Sequence, residues 1–142
     1  MLNVRWCHGV TRILILLSAF LRQSRLVACE AAKALHRHSR LVYQDGLLCE
    51  SVGLCHGIVG SVYALLSASN AFEILEDFTE YRNERYRLNA LHLATDHEGL
   101  TINDRPWSLY EELAGIYCAS IDVLYRMSDE ERRVGMPGFD DF

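Results

Sequence analysis

Twice in this chain an apolar segment of helical length follows the tripeptide Cys-His-Gly. Cys7-His8-Gly9 leads into "VTRILILLSAFL", and Cys55-His56-Gly57 leads into "IVGSVYALLSAS". The two cysteines stand 48 positions apart. Each apolar segment is followed by a more charged one, "RLVACEAAKALHRHSR" (25–40) and "FTEYRNERYRLNALHLA" (78–94). In the second of these, Tyr81, Tyr86, Leu88, Leu91 and Leu93 predict a helix with one covered side. A fainter third copy, "SLYEELAGIYCASIDVLY" (108–125), overlays 53–70 at an offset of 55. Leu109 then falls on Leu54 and Gly115 on Gly60, while Tyr110 and Glu111 replace Cys55 and His56.

A loop, an apolar helix and an amphipathic helix therefore recur. Such a unit is a helical hairpin, which buries its face only against neighbouring copies. No segment alternates apolar and polar residues between turn signals, so the predicted class is all-α. The helices that are apolar all round should lie inside, with the charged helices as an outer layer. One domain is expected over 1–127, with repeats near 5–45, 53–97 and 108–127. The stretch 128–142 contains "VGMPGFDDF" and reads as an irregular tail.

With 142 residues, half of them apolar and 23% charged, the chain can bury a core and is globular. A net charge of −5 leaves no basic surplus for phosphates, which argues against a nucleic-acid partner. Arginines cluster at Arg22, Arg25, Arg37 and Arg40, then at Arg82, Arg85 and Arg87. Their mixing with apolar residues at helical spacing reads as solvated helix faces. His36, His38, His92 and His97 are likewise expected at the surface. Five cysteines, an odd number at irregular spacing, do not form a disulfide framework. A reducing, cytoplasmic location fits them better, with at most peripheral association with a membrane such as the plasma membrane. The run "ILILLSAFL" (13–21) is too short to span a bilayer and reads as a buried helix rather than a signal segment.

Each Cys-His-Gly sits just before a helix, where the positive end of the helix dipole favours a thiolate. Thiolate and imidazole ligands suit zinc. Cys55 and His56 would come from one junction and Cys7 from the other. Three protein ligands leave a fourth position open, the arrangement of a catalytic zinc. An ordinary buried Cys–His pair is the competing reading. Cys29, Cys49 and Cys118 match no motif and read as small packing residues.

The segments "RWCHG" (5–9), "GLCHGIVGSVYALL" (53–66) and "RPWSLYEELAGIYC" (105–118), in that order and spacing, resemble the C-terminal part of the LanC-like family. That family comprises the lanthionine synthetase cyclases and their eukaryotic relatives, and WCHG at the first site resembles the eukaryotic branch. The resemblance implies an α/α toroid like that of six-hairpin glycosidases, of which this chain would form a partial ring of about three hairpins. It also implies zinc held by Cys7, Cys55 and His56. The activity implied is peptide modification, in which a thiol adds to a dehydroamino acid. The thiol belongs to a peptide cysteine or to glutathione, and the acceptor is a dehydroamino-acid-containing peptide or protein.

His8, beside a ligand, would polarise the acceptor carbonyl, move a proton, or orient the site by a hydrogen bond. Glu111 would support it from the third repeat. The chain departs from the family where Glu112 replaces a glycine and Glu50 replaces a basic residue. With fewer repeats than the family's ring, the activity is expected to be impaired by truncation, and the ends of an open arc are expected to show core-type surface such as Ile13, Leu14, Leu16 and Leu17 without a neighbouring repeat. The rival class is a non-catalytic helical-repeat module that binds zinc, glutathione or another protein. A glycosidase reading by fold analogy is weak, because adjacent Glu111 and Glu112 at a helix start point apart.

Overall fold

The computed structural model describes residues 9–23, 28–46, 52–55, 57–74, 83–95 and 113–128. Five helices occur in the order α1 (Val10–Gln23), α2 (Ala28–Gly46), α3 (Ile58–Ile74), α4 (Asn83–Thr95) and α5 (Leu113–Ser128). The described residues contain no strand, as the absence of period-2 patterning leads one to expect. No helix among them is long and apolar enough to cross a membrane.

α3 is the centre. Every residue from Ile58 to Phe72 is buried, because all four other helices pack against it. A helix with no polar face needs neighbours on every side. The small residues Gly60, Ser61, Ala64, Ser67, Ala68 and Ala71 let those neighbours approach closely. α2, by contrast, buries one stripe at helical spacing, Ala32, Leu35, Ser39 and Val42. Its opposite face carries Glu30, Lys33, Arg37 and Arg40 in solvent.

Side-chain pairs fix the helix directions. Between α3 and α5, Tyr63 meets Asp122, and Asn70 meets Arg126. Between α2 and α4, His36 meets Tyr86, and Tyr43 meets His92. In each case the numbers rise together along both helices, so each pair of helices runs parallel. Consecutive helices run the other way. Only residues 24–27 join α1 to the α2 it packs on, which permits an antiparallel hairpin alone. Phe72 near the end of α3 stacks on Tyr86 near the start of α4, with ring centroids 5.0 Å apart. Hence α1, α3 and α5 form one parallel layer, with α3 between flanks that do not touch each other, and α2 and α4 form a second layer.

Several expectations need correction. α1 is not interior: Ile13, Leu16 and Phe20 are about half exposed, since only one of its sides has a neighbour from its own layer. Leu88 is exposed, because a residue two positions from buried Tyr86 points to the opposite side of the helix. The covered stripe of α4 is Tyr86, Arg87, Ala90, Leu93 and Ala94, so Arg87 is not on a solvated face. Tyr81, Arg25 and Arg82 lie outside the described residues. Cys29 and Cys118 are exposed rather than packed in the core; Cys49 lies outside the described residues. His92 is at the surface, but His36 and His38 are half-buried and hydrogen-bonded; His97 is outside. Residues 129–142 of the expected tail also fall outside.

Candidate functional site

The layer directions bring three helix starts together. α1, α3 and α5 are parallel, so their N-termini lie at one end of the layer, side by side. At α1 the Gly9 carbonyl accepts the Ile13 N–H at 3.4 Å, which makes Gly9 the cap residue of the helix. At α3, Leu54 and Cys55 form a turn three residues before the helix, and Gly57 is buried at its entry. The glycines of both Cys-His-Gly motifs thus stand at neighbouring helix starts. The partial positive charge of such ends favours anionic groups, thiolates included.

Of the residues that the sequence proposes for the site, Cys55 is described; Cys7, His8, His56 and Glu111 lie outside the described residues. Cys55 is half-buried and not disulfide-bonded. Its flanks Val52, Gly53 and Leu54 are buried, so the turn is held in place while the cysteine keeps access to solvent. Among the described residues no three His, Cys, Asp or Glu side chains gather as a metal set. Cys55 is therefore the one donor whose fit to zinc can be judged: a half-buried thiol before a helix start matches a thiolate ligand. A second observation comes from the first turn of α1. The Thr11 hydroxyl is buried there without a hydrogen bond, so an unused donor stands at the same end of the layer. A buried hydroxyl left so costs about 1–3 kcal/mol.

Below this end, α3 and α5 are tied by polar contacts that sequence reasoning missed. The Tyr63 hydroxyl donates to Asp122 Oδ2 at 2.7 Å. Burial above all, then the Asp122 bond and its charge, pushes the Tyr63 phenol well above its usual pKa, so it stays a donor. One further turn down, Arg126 is fully buried; its Nε donates to Asn70 Oδ1 at 3.2 Å and its guanidinium pairs with Glu73. The signal was present in the sequence. Asn70 and Glu73 interrupt a helix otherwise built of apolar and small residues, and Asp122 and Arg126 stand four apart on α5, which places both on one face.

Two comparisons with known proteins bear on this arrangement. The family model described as "Lanthionine synthetase C-like protein" matches residues 1–136. A protein of Danio rerio described as "Glutathione S-transferase LANCL1" is 30% identical over 129 residues, which cover 87% of this chain. The chain spans 29% of the length of that relative. With a family match extending over nearly all of its sequence, this chain belongs to the lanthionine synthetase C-like family.

Proposed function

We propose that the paired helix starts of α1 and α3 form a zinc centre that supports addition of a thiol to a dehydroamino acid. Cys7, Cys55 and His56 hold the ion in this reading, and the surrounding helices form part of an α/α toroid. The observation that carries it is Cys55, a half-buried thiol in the turn leading into α3, in a chain whose family typically binds zinc. Zinc held by these residues would supply one thing, stabilisation of a substrate thiolate at neutral pH.

The chain's own residues do the rest. The buried flank of Val52, Gly53 and Leu54 holds the Cys55 turn, and His8 polarises the acceptor carbonyl, carries a proton or orients the site. Glu111 contributes an acceptor at the start of the third repeat. The reaction forms a bond from sulfur to the β-carbon of the dehydroamino acid and breaks the C=C π bond. The thiol proton ends on the α-carbon, so no oxidant, reductant or leaving group is needed. The acceptor is a dehydroamino-acid-containing peptide or protein. Glutathione is the thiol suggested by the description of the Danio rerio relative, and a peptide cysteine is the other.

The test is conversion of a dehydroalanine peptide by glutathione, followed by mass spectrometry. Addition in the unaltered chain that is lost in Cys55→Ala and kept in Cys29→Ala supports the reading. Equal addition in Cys55→Ala contradicts it. Zinc binding without any addition assigns the chain to the non-catalytic zinc-binding class instead.

A further inference from the structure

The outer layer holds a groove that the proposed zinc centre does not use. It lies between parallel α2 and α4 and has a volume of about 180 Å³. Each helix contributes the same pattern: Arg40 with Gln44 from α2, and Arg85 with Asn89 from α4. In both, an arginine and an amide stand four residues apart, so both project from one face.

The groove has defined ends. His36 Nδ1 and the Tyr86 hydroxyl meet at 2.5 Å at one, and the Tyr43 hydroxyl and His92 Nδ1 meet at 2.8 Å at the other. Seven residues of helix separate His36 from Tyr43, about 10 Å at the rise of an α-helix. Between these two pairs the arginines carry no ion pair with any described residue, and no carboxylate is among the described lining residues. In a chain with a net charge of −5, a pocket whose described lining gathers two cations is a local reversal of sign.

We propose that this groove binds the phosphoryl group of a small phosphate-bearing ligand. Two guanidinium forks from facing helices offer more donors than one carboxylate can accept, and two positive charges match a dianion. The three terminal oxygens of a phosphomonoester accept from both forks, with the Gln44 and Asn89 amides on the remaining lone pairs. The groove extends past the volume of the phosphoryl group, which leaves room for a small organic body against the Tyr43 and Tyr86 rings. The shared chemistry is the phosphoryl group, whether esterified or as the free ion.

The experiment titrates the full chain with phenyl phosphate, inorganic phosphate and phenylacetate, and follows the side-chain amide resonances of Gln44 and Asn89 by NMR. Phenyl phosphate is expected to shift both. Arg40→Gln and Arg85→Gln should each weaken it about tenfold, a loss of about 1.4 kcal/mol. Arg37→Gln removes an equal charge from the same helix outside the groove and should change little. Arg40→Lys keeps the charge without the fork and should also weaken binding. Tighter binding of phenyl phosphate than of inorganic phosphate assigns an ester ligand; equal binding assigns the free ion. The proposal fails if the two amide resonances do not move. It fails equally if Arg37→Gln weakens binding as much as Arg40→Gln, or if phenylacetate binds as well as phenyl phosphate.

Discussion

α1 and α3 begin alike and end in different surroundings. Both follow a Cys-His-Gly motif, and both are apolar for most of their length. α3 is buried from Ile58 to Phe72, whereas α1 shows Ile13, Leu16 and Phe20 to solvent. The difference is one of neighbours: α3 has α1 on one flank and α5 on the other, and α1 has only α3 within its layer. α5 is the mirror case, with Tyr117, Ile121, Leu124 and Tyr125 exposed. In a repeat array, burial belongs to position in the row rather than to composition.

The largest expected effect lies where the central helix holds a charge. Removing the Glu73 carboxylate as Glu73→Ala breaks its ion pair with the fully buried Arg126, which should cost about 3–5 kcal/mol. Urea unfolding reads this as a lower midpoint with an unchanged slope. Almost as large should be Leu66→Ala in the same helix, at about 2–5 kcal/mol for a cavity in a close-packed site. The matched substitution on the flank, Leu16→Ala, should stay within about 0.5 kcal/mol. A cost for Leu16→Ala equal to that for Leu66→Ala would mean the outer face of α1 is covered, and the comparison would fail.

A pH series sharpens the same contrast at the α3–α5 contact. The folded state raises the Tyr63 phenol above its unfolded value, so the stabilisation is complete below the ordinary tyrosine pKa of about 10. It declines as the pH climbs beyond that value, because the unfolded chain ionises first. Tyr63→Phe should therefore be less stable by about 1 kcal/mol at neutral pH, through loss of the hydrogen bond to Asp122. It should also lose stability less steeply than the unaltered chain above pH 10. Identical alkaline slopes for the two would show that another group governs that limb.

The sequence made the helical class readable, because a period near 3.6 and the absence of alternation are local properties. The central place of α3 was also readable, since a helix without a polar face has one stable location. The half-exposure of α1 was readable only through the partial ring, whose open end is expected to show Ile13 and Leu16, as it does; the apolar residues themselves specify neighbours without supplying them. Arg126 and Arg87 were hidden for the opposite reason: a charge reads as solvated until its partner is known, and the partners of Arg126 stand more than 50 residues away. Leu88 was misplaced by counting apolar residues without their angular spacing. At the site, the motifs and their helix starts were legible as repeats. The ligand set needs contacts between the two loops, which no local pattern encodes.

The most direct test of the zinc reading is the metal content of the purified chain by elemental analysis. It would be measured for the unaltered protein and for Cys7→Ala, Cys55→Ala and Cys29→Ala. The account predicts about one zinc per chain, lost in Cys7→Ala and in Cys55→Ala and retained in Cys29→Ala. A helical, soluble chain without zinc, or one whose zinc survives Cys55→Ala, would contradict it.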